Sequence, residues 1–270
     1  MNAFTIPPKS AVEPTTHPLQ PLGWVMSIVL FALPALLLRL FMYHVMAGMF
    51  AVLPQFDAFI FSFTIPLALL LVAALLMTQR EAHPLTWHFL RERFRFERLN
   101  GRAWRITAVC FVVGFLGSGV LGLTAKYIAS IPAFAPPAVL PQVIDPRTAP
   151  SLSNPTFMGE TTLGNWRIIG LYGVMLFFNI VGEETWWRGY ILPRQEARFG
   201  ARTWLVHGFL WTLFHSVFYP WQILGLAPMC FALSYAAQKT RSIWPGIIIH
   251  SLSNGLAMLP LVLGVLGIKA

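Results

Sequence analysis

The chain has 270 residues, of which 56% are hydrophobic and 11% charged. Soluble domains carry about 25% charged residues, so much of this surface does not face water. In a soluble protein the net charge of +9 would suit nucleic-acid binding. Here the arginines lie between long apolar runs, an arrangement typical of the cytoplasmic loops of membrane proteins. Composition therefore predicts an integral, multi-pass protein of the lipid bilayer that does not bind nucleic acid.

The N-terminal residues 1–21 are polar and rich in proline, unlike a cleavable signal peptide. We expect them to form a cytoplasmic tail, followed by a single transmembrane domain over residues 22–270. Cys110 and Cys230 both lie inside apolar runs. We expect them to be small core residues, because neither their spacing nor their context indicates a disulfide or a metal site.

Seven apolar segments are long enough to cross a bilayer, which takes about 20 residues. Gly255 and Pro260 would divide the last segment and create an eighth helix, but each piece alone would be too short to cross. We therefore expect one kinked helix there. The predicted fold class is all-α, a polytopic membrane bundle of about seven transmembrane helices. The segments are residues 22–50, 56–77, 104–125, 165–192, 201–219, 221–238 and 243–268.

Basic residues are concentrated in alternate connections, and the connections between them carry very little charge. Because positively charged loops stay inside, we expect the basic connections and the N-terminus to be cytoplasmic. The short chain and compact loops favour a prokaryotic cytoplasmic (inner) membrane. The basic residues concerned are Arg80, Arg91, Arg93, Arg95, Arg98, Arg102, Arg105, Arg194, Arg198, Arg202, Lys239 and Arg241.

Two connections have a distinctive composition. Residues 84–100 mix aromatic and aliphatic side chains with Arg and Glu, which predicts an amphipathic helix in the membrane interface between spans two and three. Residues 126–164 contain seven prolines and predict a long non-cytoplasmic loop. That loop either covers the outer mouth of the bundle or is a flexible connector.

Glu183 and Glu184 are adjacent carboxylates inside the fourth span. Charge at membrane depth is costly, so such residues are functional candidates. Arg188 follows Glu184 by one helical turn, where an ion pair can form. Neighbouring residues on a helix point about 100° apart, so one glutamate can face a cavity while the other is held by Arg188 or by a neighbouring helix.

His215, His250 and Asn254 lie well inside the fifth and seventh spans. With a rise of about 1.5 Å per residue, Glu183 is roughly 16 Å from the cytoplasmic end of its span, and His215 is roughly 19 Å from the corresponding end. His250 and Asn254 are roughly 12 and 18 Å deep by the same measure. Four polar residues on three helices thus reach a similar level, nearer the cytoplasmic side.

A carboxylate, two imidazoles and a carboxamide are suited to hydrolysis of an acyl bond. A buried Glu can act as general base toward water, and a His can share or relay the proton. A second His and an Asn can donate to a developing oxyanion. The alternative is that these buried polar groups only join helices.

The same residues form three recognisable motifs. Residues 183–188 (EETWWR) resemble the EExxxR motif of the CAAX protease and bacteriocin-processing (CPBP, or Abi) family of glutamate-type intramembrane endopeptidases. Residues 211–215 (WTLFH) resemble its FxxxH motif, with Trp211 in place of Phe, and residues 250–254 (HSLSN) resemble its HxxxN motif. The resemblance, which includes type II CAAX prenyl endopeptidases, implies a catalytic core at residues 165–268.

The resemblance implies roles for these residues. Glu183 and His215 would activate water, and His250 and Asn254 would form the oxyanion site. Glu184 and Arg188 would support the active-site helix, and the change to Trp211 keeps an aromatic ring. It also implies hydrolysis of a peptide bond in a membrane-associated peptide or protein, with or without a prenyl group, and no cofactor.

Three rival interpretations remain open from the sequence. The same Glu and His residues could bind Zn²⁺ in a metal-dependent membrane protease, although no HExxH motif is present. The chain could be a non-catalytic immunity or scaffold protein that keeps the fold. A transporter or proton channel would use Glu183 and Glu184 with further intramembrane charges, for which Arg39 is the only other deep candidate.

Overall fold

The computed structural model describes residues 19–81, 85–148 and 156–268. Most of the predicted N-terminal tail, residues 1–18, lies outside the described residues. The described chain is a bundle of helices with one small β-hairpin, which confirms the predicted all-α class. The helices are α1 (Trp24–Met49), α2 (Gln55–Gln79), α3 (Trp87–Arg93), α4 (Gly101–Gly122), α5 (residues 166–199), α6 (Thr203–Phe218), α7 (Ile223–Thr240) and α8 (Trp244–Leu266).

Five helical runs are long and apolar enough to cross a membrane, which confirms a polytopic membrane bundle. The predicted fourth and fifth spans share one run of 53 residues. The predicted sixth span is helix α7, which is not among the five runs. The last span is a single helix with Pro260 inside it, as the sequence predicted. The five runs are Trp24–Met49, Gln55–Gln79, Gly101–Ile128, Trp166–Phe218 and Trp244–Leu266.

The predicted interfacial helix is present between α2 and α4 but is shorter than the amphipathic stretch. Helix α3 begins after Thr86, whose hydroxyl accepts a hydrogen bond from the Phe89 amide, and it ends at Arg93. Beyond it, Arg95 adopts a φ of 58°, and its carbonyl accepts a hydrogen bond from the Ile243 amide at 3.0 Å. The chain therefore leaves the helix to reach the start of α8.

One end of the bundle, here called the arginine-rich face, joins the connections that carry most of the basic residues. Glu81 at the end of α2 accepts hydrogen bonds from both Arg93 and Arg194. Arg95 binds Glu196 through two hydrogen bonds of 3.0 and 2.8 Å. These ion pairs tie the connection between α2 and α4 to the end of α5.

The opposite end, here called the hairpin face, contains the strands β1 (Thr156–Phe157) and β2 (Glu160–Thr161), which pair antiparallel. Arg167 at the start of α5 donates to Asp57 at 2.6 Å and to Glu160 at 3.0 Å. The Gly164 amide donates to the Val265 carbonyl at 2.9 Å. The hairpin is thereby fixed to the ends of α2, α5 and α8.

The proline-rich loop before the hairpin has its own hydrogen-bonded structure over residues 129–148. Arg147 donates to Asp145 at 2.6 Å and to the Ala129 carbonyl at 3.3 Å. The Thr148 hydroxyl donates to the Gln142 carbonyl at 2.8 Å. The hydrogen bond from Arg147 lowers the pKa of Asp145 below its usual value of 3.8. Within this part of the loop the chain is more than a flexible connector.

Candidate active site

The two adjacent glutamates lie where helix α5 is wound as a π-helix. The helix is α-helical over Trp166–Phe177, and π-helical turns cover Phe178–Gly182 and Thr185–Ile191. Such turns hold one more residue than α-turns and occur often at functional sites. The α-helix resumes at Leu192–Phe199.

Small side chains allow α5 to approach its neighbours closely at this level. A Cβ at Gly182 would lie 2.6 Å from the carbonyl oxygen of Leu67 in α2. A Cβ at Gly189 would lie 3.0 Å from the ring of Phe94, next to α3. Every residue from Gly182 to Gln195 is buried. The later half of α5 is therefore enclosed by the other helices of the bundle.

Glu183 is 2% exposed and accepts three hydrogen bonds. Asn179 Nδ2 donates to Oε1 at 2.7 Å, and the indole N–H groups of Trp187 and Trp211 donate to Oε2 at 3.1 and 3.2 Å. A carboxylate is an acceptor-only group, so all three partners suit it. Trp187 is itself held by ring stacking on Phe31, with centroids 4.4 Å apart.

Glu184 points to different partners. Its Oε1 accepts a hydrogen bond from Arg188 at 2.9 Å and lies 3.0 Å from Nδ1 of His250 on α8. A Cβ at Gly246 would collide with Glu184 Oε2, so this glycine makes room for the carboxylate. The Arg188 guanidinium also stacks on the Trp211 ring, 3.5 Å from its centroid.

His215 has a defined tautomer when neutral. Its Nδ1 lies 2.9 Å from the backbone carbonyl of Trp211, and a carbonyl oxygen can only accept. Nδ1 therefore carries the proton, and Nε2 holds the free electron pair. Cys230 Sγ lies 3.9 Å from the same Nδ1.

Five of the seven predicted site residues line one cavity of about 650 Å³. Glu184 and Arg188 do not line it and lie behind the cavity wall. Sequence reasoning missed Asn179, which also lines the cavity and bonds both Glu183 and Asn254. The available signal was its position one helical turn before Glu183. The five lining residues are Glu183, Trp211, His215, His250 and Asn254.

Trp211 contributes more than the aromatic ring expected from the sequence. Its indole N–H donates to Glu183, its carbonyl accepts from His215, and its ring makes a cation–π contact with Arg188. A phenylalanine in this position would lack the first of these contacts. The departure from the FxxxH pattern therefore adds a hydrogen bond at the carboxylate.

Two alternatives from the sequence were a metal-dependent protease and a transporter or proton channel. Among residues 19–81, 85–148 and 156–268, no group of three or more His, Cys, Asp or Glu is arranged to hold a metal ion. Arg39, the other deep charge, donates to the Val217 carbonyl at 2.6 Å and lies over the Tyr43 ring at 4.4 Å. It thus caps the end of α6 and does not line the cavity.

The fold and the site together define an integral membrane protein in which a buried glutamate, two histidines and an asparagine surround an internal cavity. Residues 165–256 match the family model of the type II CAAX prenyl endopeptidase Rce1-like proteins. The matched segment contains all three motifs, which confirms the predicted resemblance to CAAX proteases over that part of the chain. No curated protein and no solved structure matches the chain.

Proposed function

We propose that this protein is a glutamate-type intramembrane endopeptidase. The observation that carries the proposal is that Glu183, His215, His250 and Asn254, on three different helices, line the same cavity. The match to prenyl endopeptidases supports the same reaction class. The substrate would be a membrane-associated peptide or protein, and the cavity's many apolar lining residues suit a lipid-attached or hydrophobic segment.

In the proposed reaction, a water molecule between Glu183 and His215 is the nucleophile. As its oxygen attacks the scissile carbonyl carbon, the carboxylate of Glu183 takes a proton from it. The free electron pair on His215 Nε2 accepts a hydrogen bond from the same water. When the tetrahedral intermediate collapses, the C–N bond breaks, and the leaving amine takes up the proton held by Glu183. No covalent enzyme intermediate forms.

The negative charge on the substrate oxygen requires donors. Asn254 uses one amide N–H for Asn179 and keeps a second for the oxyanion. His250 donates its Nδ1–H to the Glu184 carboxylate, which can only accept. It can therefore donate to the oxyanion through Nε2 only as an imidazolium, whose positive charge Glu184 would balance. Donors placed in advance at such a position typically contribute about 10²–10³ in rate.

The two glutamates differ in role because their partners differ. Glu184 is paired with Arg188 behind the cavity wall, so we assign it to positioning His250 and helix α5. Glu183 has only neutral donors and lines the cavity. We therefore assign proton transfer to Glu183 alone.

The test uses the purified full chain in detergent with Glu183→Gln and His215→Ala variants and a library of prenylated and plain reporter peptides. Glu92→Gln and His88→Ala are matched controls, because these two residues pair with each other on the surface of α3. Each protein is assayed with and without a strong chelator, and its thermal unfolding is recorded.

We expect the wild type and both controls to cleave, and the two site variants to remain folded and inactive. Cleavage should not respond to the chelator. Chelator-sensitive cleavage that Zn²⁺ restores would replace this proposal with the metal-dependent one. Site variants as active as the wild type would refute the assigned roles. Absence of cleavage by every form, across the peptide library, would favour the scaffold interpretation.

A further inference from the structure

The cavity at Glu183 extends in one direction along the bundle. Its lining includes Val143 of the proline-rich loop and Tyr219 at the end of α6, both toward the hairpin face. A second cavity, of about 420 Å³, shares these two residues and continues to the hairpin at Thr156 and Phe157. The internal space therefore extends from the carboxylate toward the hairpin face.

The exposed lining residues mark where the cavity reaches the surface. Phe115 and Gly119 belong to the later half of α4, and Ala257 belongs to the later half of α8. Phe115 is 43% exposed, and Val143 is 54% exposed. All four lie in the half of the bundle nearer the hairpin face. They outline a mouth between α4 and α8 beside the loop.

Toward the arginine-rich face the described residues close the site. Residues 182–195 of α5 are all buried, and the Trp187 ring lies between Phe31 and Phe214, with centroids 4.4 and 4.9 Å away. Arg188 and its stack on Trp211 fill the adjoining space. By count of residues, Glu183 is roughly 16 Å from this face and roughly 26 Å from the start of α5. The shorter path from Glu183 to the surface, toward the arginine-rich face, is therefore blocked by buried side chains.

Charge differs sharply between the two faces among the described residues. The connections at the arginine-rich face contain twelve Lys or Arg and four Glu, whereas those at the hairpin face contain three basic and three acidic residues. Positive loops remain in the cytoplasm, so the hairpin face is expected on the opposite side. The hairpin-face residues are Asp57, Lys126, Arg147, Asp145, Glu160 and Arg167.

We propose that the substrate reaches Glu183 from the hairpin face, through the mouth between α4 and α8, and is therefore an apolar or lipid-anchored peptide segment of the non-cytoplasmic leaflet. The inference rests on the proposed endopeptidase function for the identity of the reaction. The direction of access rests only on the extent of the cavity, on the buried residues 182–195 that close its other end, and on the distribution of charge. The sequence places the four polar residues nearer the cytoplasmic side, whereas the proposed entrance is on the opposite side.

Membrane sidedness is tested with single cysteines introduced at two exposed apolar positions. Val143→Cys lies at the mouth, and Trp87→Cys lies on α3 at the arginine-rich face, where the native side chain is 67% exposed. A membrane-impermeant maleimide is added to intact cells that express the full chain, and the unsubstituted chain controls for the buried Cys110 and Cys230. We expect labelling of Val143→Cys in intact cells and of Trp87→Cys only after permeabilisation. The reverse pattern would overturn the proposal.

The path of access is tested with the same variants in detergent, where both faces are open to reagents. A bulky maleimide on Val143→Cys should block cleavage of a reporter peptide, whereas the same group on Trp87→Cys should not. Loss of cleavage only with the Trp87→Cys adduct would place access at the arginine-rich face. The labelling pattern requires no enzymatic activity, so failure of the endopeptidase proposal would be distinguishable from failure of this one.

Discussion

The side chain of Asn254 donates an N–H to Oδ1 of Asn179 at 2.5 Å, and Asn179 Nδ2 in turn donates to Glu183 at 2.7 Å. The direction of this chain follows from its last member, because a carboxylate only accepts. Asn179 must present its NH₂ group to Glu183 and its oxygen to Asn254. Asn254 must then present its own NH₂ group. The orientation of the proposed oxyanion donor is thus set by the proposed base.

Replacing Asn179 tests whether this chain matters for catalysis. Hydrogen bonds to charged groups contribute about 1.5–3 kcal/mol, so Asn179→Ala should lower kcat by about 10–100-fold and leave KM nearly unchanged. Asn179→Asp should lower kcat further, because it places a second carboxylate beside Glu183. A double variant with Asn254→Ala should lose less activity than the two single losses combined, because the hydrogen bond between Asn179 and Asn254 is removed by either substitution. Additive losses would contradict coupling through Asn179.

Trp211→Phe tests the added hydrogen bond at Glu183. The substitution keeps an aromatic ring beside His215 and Arg188 but removes the indole donor. We expect kcat to fall by about tenfold, the equivalent of one hydrogen bond to a charged group. Trp204→Phe is the matched control on the same helix, because the Trp204 ring makes edge contacts with Phe231 and Tyr235. Equal activity of the two variants would show that the ring alone suffices.

Gly246→Ala tests the packing of Glu184 against α8. The added methyl group would collide with Glu184 Oε2 and displace the carboxylate from Arg188 and His250. Overpacking of this kind costs about 1–3 kcal/mol, so we expect a lower midpoint of thermal unfolding and a loss of cleavage. Gly255→Ala on the same helix has open space around its Cβ and should be neutral or stabilising by about 0.5–1 kcal/mol. Similar unfolding midpoints would refute the collision.

The ion pair between Asp145 and Arg147 should make the structure of the loop at the mouth insensitive to pH near neutrality. Because Arg147 lowers the pKa of Asp145 below 3.8, the pair is fully formed above that value and is lost only as pH falls through the lowered pKa. Hydrogen exchange of residues 142–148, corrected for its intrinsic rate, should therefore be constant from roughly pH 8 to 5. Asp145→Asn should speed this exchange at every pH, with Glu92→Gln as control. A pH-dependent rise in the unsubstituted protein would contradict this account.

The apolar runs alone were sufficient to predict the helical bundle and the continuous last helix. They predicted these features because lipid leaves a helix as almost the only way to satisfy the backbone. The motif spacing also identified Glu183 and His215 as residues to examine together. Their common cavity could be anticipated because depth along a helix follows directly from residue number.

Other features depended on contacts that residue spacing does not encode. Spacing on an ideal helix placed Arg188 beside Glu184, where the structure has it, but the contacts that reach the two glutamates from other helices, Trp211 to Glu183 and His250 to Glu184, could not be assigned from it. The role of Trp211 required knowing where its indole N–H lies. The direction of the cavity depended on which half of α5 is enclosed by neighbouring helices. Net charge and hydropathy carry no information about that enclosure.

The wide turn at Phe178–Gly182 has a consequence for how this helix can change over evolution. Loss of one codon there can be absorbed by rewinding the turn as an ordinary α-helix, so the contacts at Arg167 and Arg194 could persist at the two ends. Glu183 and Glu184, which follow this turn, would then keep the directions they face, whereas a single deletion in an α-helical part of α5 would rotate every later side chain by about 100°. The wide turn is thus a place where α5 can lose one residue without turning the glutamate pair away from its partners.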